Sequence, residues 1–209
     1  MAEERIAPGD RGRIGVVNAV TARVIGVATG GGAPNLFTTL ARHRRLYRRW
    51  LWFASGLMPG GRLPRRDAEL VILRVAHRTG CVYEQRHHEY LGRAAGLDAG
   101  DLAAVGTDVP ASWWSARQRA LVDATDELLA DHGWSEPTWQ VLRAELDELE
   151  LIELPMLVGH YQMLASTIGA LGIRPDPVPS PGPVRRVVTG WLLRRRGGGT
   201  TEDARPRCR

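Results

Sequence analysis

Apolar residues recur at helical spacing over most of the first 171 positions, and no stretch alternates with period two over the length of a strand. The expected class is therefore all-α. Val16–Val27 has weak helical spacing, and the Gly-rich stretch ending at Pro34 reads as a linker. Asn35 reads as the cap of one long helix. Leu36, Phe37, Leu40, Tyr47, Leu51, Ala54 and Leu57 fall near one face of it, with Arg42, Arg44, Arg45, Arg48 and Arg49 on the other. Met58-Pro59-Gly60-Gly61 stops it. Pro64 opens a helix over about 65–79 that is apolar nearly all round, the mark of a buried helix. After Gly80 a third helix runs from about Cys81 to Ala95 and ends at Gly96. Asp98 and Asp101 mark the start of a short helix ending at Gly106. Ser115 caps a helix to about Ala130, and Ser135 caps another to about Leu149. The last helical run reaches about Leu171, with Pro155 placed to kink or divide it.

Composition shifts along the chain. Residues 1–34 read as an N-terminal extension, 35–173 as a single helical domain, and 174–209 as a Pro/Arg-rich tail expected to be disordered. Within the tail, Val184–Arg196 could form a short basic amphipathic helix. The tail holds nine Arg against Asp176, Glu202 and Asp203, a net of +6, so the rest of the +5 chain sums to −1. A neutral body with a basic tail does not read as a nucleic-acid-binding domain.

The 209 residues are 44% apolar, enough for a real core, and no run of about 18 apolar residues predicts a membrane span. All 28 basic residues are Arg; the absence of Lys excludes a Schiff-base lysine and a P-loop. Two cysteines, Cys81 and Cys208, exclude a disulfide framework. The first residues lack the pattern of a signal peptide, so a cytoplasmic location is expected.

The chemistry-bearing stretch runs from Glu69 to His88. Cys81, Glu84 and His88 are spaced i, i+3, i+7, which puts them on one helical stripe. Cys81 follows Gly80 at the start of a helix, where amides and dipole are expected to lower its thiol pKa. Glu84 and His88, at i, i+4, can hydrogen-bond. Glu69, among Leu70, Val71 and Ile72, needs a partner: His88, Cys81 or an arginine such as Arg74. Tyr83 and His160 are candidate pocket residues, although a histidine on an apolar helix also reads as a satisfied core residue. Cys81 likewise reads as a small core residue. A metal would find three donors on the stripe, since His87 points about 100° away from His88, and no metal is expected. Trp113 and Trp114 read as packing or subunit contacts.

The run LPRRDAELVILRVAHRTGCVYEQRHHEYLGRAAGL resembles the core of the carboxymuconolactone decarboxylase/AhpD-like proteins. The later ELIELPMLVGHYQMLASTIGALGI resembles the closing helix of their Cys-containing actinobacterial branch. The resemblance spans roughly residues 35–175. It implies an AhpD-like helical bundle in trimers or hexamers, an enzyme acting on a small-molecule substrate without a bound cofactor, and catalytic roles for Cys81, Glu84, His88 and Glu69. The thioredoxin-like peroxidase branch has a Glu followed by C-x-x-C-x-x-x-H; Glu69, Cys81 and His88 match it, but Glu84 stands where its second Cys would be. The decarboxylase branch has a Glu four residues before the same His, which Glu84 and His88 match, and Glu69 matches its R-E-L glutamate.

Three functions follow. Peroxidase-type thiol chemistry at Cys81 would need an external thiol reductant, unless Cys208 served as the second thiol. Acid/base decarboxylase or isomerase chemistry would use Glu84 and His88 as proton shuttles on a small organic acid. A non-catalytic scaffold would keep the fold alone. An oligomer is also expected from the apolar helices at 65–79 and 151–171.

Overall fold

In a computed structural model, residues 3–29, 31–108 and 111–176 are described. The expectations for the tail beyond Asp176, including the helix at 184–196 and the role of Cys208, lie outside the described residues. Among those residues there are ten helices and no strand. They are α1 (Arg11–Ile14), α2 (Val16–Ala28), α3 (Asn35–Leu40), α4 (Arg44–Leu57), α5 (Arg65–Arg78), α6 (Val82–Ala94), α7 (Ala99–Val105), α8 (Ala116–Asp131), α9 (Glu136–Glu145) and α10 (Glu148–Leu171).

The architecture is built around α5. Asp67 through Ala76 are all buried, and α5 packs against α6, α8 and α10. Val71, Ile72 and Val75 join Leu121 and Ala124 of α8 and Leu154, Leu157 and Val158 of α10 in the main core. Gly80 (φ 63°) takes the left-handed turn that leads from α5 into α6, a backbone conformation most other residues avoid. On the far side of α5, Leu70 and Leu73 pack with Leu97, Val105, Trp114 and Val122. Capping follows the expected chemistry at three starts: Asp98 with Asp101, Ser115 with Gln118, and Ser135.

The chain differs from the expected elements in three places. The single helix expected from Asn35 to Leu57 is two. The amides of Ala41, Arg42 and His43 bond back to Phe37, Thr39 and Leu40 carbonyls, which closes α3, and the His43 Nδ1 then accepts from the Leu46 N–H to start α4. Buried Ala41, packed on Ile14 and Tyr47, holds this corner. Asn35 is the first residue of α3 and not its cap. Second, α9 stops at Glu145, because Asp147 and Glu150 form a capping box that opens α10. Third, Pro155 lies inside α10 without dividing it; Leu154 and Leu157 on either side are fully buried and pin the helix.

The first residues cross the body as a strap. Arg5 and Ile6 amides donate to the Leu171 carbonyl, Gly9 donates to Thr38, and the Arg42 guanidinium donates to Ala7. At the other end the Asp176 carboxylate accepts from the Asn35 amide (2.8 Å) and the Tyr83 hydroxyl (2.5 Å).

Candidate active site

α5 and α6 present the expected residues to one another. The His88 Nδ1 lies 2.7 Å from Glu69 Oε2, and its Nε2 lies 3.3 Å from Glu84 Oε2. The second Glu69 oxygen ion-pairs with Arg65 at 2.5 Å, one turn earlier on α5. Glu69 is therefore held by Arg65 and His88. Arg74, named from sequence as a possible partner, instead engages Asp126. Glu69, Glu84 and His88 are 0%, 4% and 5% exposed. Burial favours a neutral imidazole, but the Glu69 carboxylate and its hydrogen bond, with those of Glu84, outweigh it and push the His88 pKa up to about 9. At neutral pH His88 is thus a cation clamped between two carboxylates.

The clamp leaves one acceptor free. Glu84 Oε1 is buried and has no hydrogen-bond partner among the described residues. A buried carboxylate oxygen left unpartnered is costly in a structural role and useful where a substrate proton is to be received.

Cys81 is the N-cap of α6 and part of the main core. The lowered thiol pKa expected from this place is corrected by the surroundings. Burial pushes the thiol up and so does the Glu84 charge, while the Tyr83 and Glu84 amides pull down without prevailing. The resting thiol is protonated at neutral pH.

The two pocket candidates fall in different places. The Tyr83 hydroxyl accepts from the Leu36 amide and donates to Asp176, so it ties the two ends of the domain together. Its ring stacks on that of His87, whose centroid lies 6.2 Å from that of His88. His160 accepts at Nε2 from the Trp50 indole N–H (2.9 Å), and burial pushes its pKa down to about 4. It is a neutral ring edge-on to Tyr161, and Tyr161 is edge-on to His88 at 5.0 Å. The contacts that Arg65, Trp50 and Tyr161 make here were not expected from sequence. Arg65 carried a signal, standing four residues before Glu69 on the same helix; the contacts of Trp50 and Tyr161 cross between helices and carried none. Among the described residues no group of three or more His, Cys, Asp or Glu side chains is arranged to hold a metal ion.

A compact all-α chain with a buried Glu-His-Glu cluster across two packed helices, beside a cysteine, defines the class of protein. Residues 44–127, which contain the whole cluster, match the Carboxymuconolactone decarboxylase family. Over that segment the chain is similar to this family, and its fold is that of the AhpD-like proteins. Among solved structures, an uncharacterized peroxidase-related protein from Silicibacter sp. TM1040 aligns with a TM-score of 0.73 at 17% identity, over 86% of this chain and 97% of its own. The debrominase Bmp8 aligns with a TM-score of 0.71 at 12% identity, over 91% and 98%. A peroxidase-related AhpD core protein from Ralstonia eutropha JMP134 aligns with a TM-score of 0.68 at 19% identity, over 82% and 93%. A comparison with curated proteins gave no significant match.

Proposed function

We propose that the protein is a cofactor-independent enzyme of the decarboxylase or isomerase type, with Glu84 as the proton-transfer group. The observation that carries this reading is the unpartnered Glu84 Oε1 next to a clamped His88 cation. Glu84 takes a proton from a carbon acid, or returns one to the carbon left after loss of carbon dioxide. Both His88 nitrogens are occupied, so His88 acts as a positioning residue that fixes Glu84. Glu69 and Arg65 anchor His88 in turn. The substrate class is a small, enolisable organic acid.

A second reading is thiol chemistry at Cys81, in which the thiolate attacks a peroxide oxygen, the sulfenate and an alcohol or water form, and an external thiol reduces the sulfenate. Its specific support is the Cys81 position at the α6 N-terminus, one turn before a carboxylate able to take the thiol proton. Because the thiol is held protonated, this route needs Glu84 first as its base.

One experiment separates them. Purified protein is offered a panel of small keto and lactone acids in deuterated water, and separately peroxide with a dithiol. Cys81→Ser is expected to retain most deuterium incorporation, and Glu84→Gln to lose about 10²–10⁴ of it. Loss of all turnover in Cys81→Ser, with peroxide consumption in the unmodified protein, would overturn the first reading in favour of the second.

A further inference from the structure

A cavity of about 580 Å³ lies outside the Glu-His-Glu cluster, between the N-terminal strap, α3, α4 and α10. Its size is that of a small-molecule site. Leu40, Trp50, Leu164 and Leu171 give it apolar walls, and the basic residues lining it are Arg5, Arg42 and His43, with no Asp or Glu among the lining residues. Arg5 and Arg42 each donate to one backbone carbonyl, Ala170 and Ala7, and neither forms an ion pair among the described residues. Asp10, whose charge is felt by Arg42, pairs with Arg13. Tyr47 and Thr39, 1% and 4% exposed, contribute to the wall with hydroxyls that find no partner among the described residues.

We infer that this cavity is a binding site for an organic monocarboxylate with an apolar body. Apolar walls with unpaired cations and no opposing carboxylate favour one charge sign on an otherwise hydrophobic ligand. The carboxylate meets Arg5 and Arg42, and the apolar body lies along Leu40, Trp50 and Leu164. The site is independent of the proposed catalytic reading, since none of Cys81, Glu84, His88 and Glu69 lines the cavity. It does share a wall with the row that leads to the cluster, because the Trp50 indole donates to His160.

The test is calorimetric titration and thermal shift of the full chain with octanoate and with octanol, its uncharged counterpart. At the efficiency usual for ligands of about ten heavy atoms, octanoate is expected to bind with a Kd on the order of 0.1–1 mM and to raise Tm. Octanol should bind about tenfold more weakly. Replacing both cations, Arg5→Gln with Arg42→Gln, should bring octanoate down to the affinity of octanol. Because those arginines also tie the strap, a second variant is needed. Met163→Trp adds bulk at a half-exposed lining position of α10, and should remove binding of both ligands with Tm in the absence of ligand unchanged. No binding of octanoate up to about 5 mM, equal affinity for octanoate and octanol in the unmodified chain, or unchanged binding in Met163→Trp would each overturn the inference.

Discussion

Glu69 and Arg74 lie on the same face-to-face buried helix, 0% and 2% exposed, and their surroundings treat them differently. Arg74 is saturated. Its Nε and one terminal nitrogen grip both oxygens of Asp126, and the other donates to the Val105 and Thr107 carbonyls. Arg78 closes the same Asp126 from outside, which holds that carboxyl down to about 2 even though burial pulls the other way. Arg117 is treated alike, bound by Asp67, Glu150 and the Glu145 carbonyl. Glu69, by contrast, leads through His88 to Glu84, whose outer oxygen has no partner. Buried charge with every donor and acceptor filled joins helices. On the function proposed above, the oxygen that Glu84 keeps without a partner is the one that meets the substrate.

This contrast can be broken by mutation. The largest effect should be on turnover: Glu84→Gln is expected to lower deuterium exchange into the true substrate by about 10²–10⁴ while leaving the denaturation midpoint nearly unchanged. A large fall in stability, with turnover per folded molecule preserved, would mean that Glu84 is as structural as Asp126. Arg74→Ala should behave in the opposite way. It leaves Asp126 with Arg78 alone and takes one donor from each of the Val105 and Thr107 carbonyls, and urea denaturation should report a loss of about 3–5 kcal/mol. Turnover of the fraction that remains folded should be near normal.

A third, smaller effect concerns pH. The His88 value of about 9 in the folded chain lies above its unfolded value near 6.5. The stabilisation from the clamp is therefore complete below about 6.5 and lost as pH rises through about 9. Melting temperatures measured across that window should fall with rising pH in the unmodified protein, and less steeply in His88→Asn. Parallel curves would show that the ring is neutral in the folded state. The smallest effect is expected at the end of the domain. Removal of residues 177–209 should leave melting and turnover unchanged, whereas Asp176→Ala should cost about 1–2 kcal/mol by freeing the Tyr83 hydroxyl and the Asn35 amide. A fall of several degrees on truncation would show that the tail contributes to the body.

The sequence by itself determined the helical class, the burial of α5 and the grouping of Cys81, Glu84 and His88, because periodicity and i, i+4 spacing are local properties that a helix converts directly into a shared face. The Asp147–Glu150 capping box was missed, and the expected helix ran past it to about Leu149. Other features depend on what packs from elsewhere in the chain. Ala41 closes α3 because Ile14 and Tyr47 lie against it. Arg65 rather than Arg74 takes Glu69, since Asp126 of α8 occupies the latter. The thiol of Cys81 rises where a bare helix N-terminus would lower it, because the surrounding core removes water and Glu84 adds negative charge. Spacing assigned these residues to one stripe, but desolvation and partnering act across helices, so tertiary packing decided which of them is a cation, which is neutral and which keeps a free acceptor.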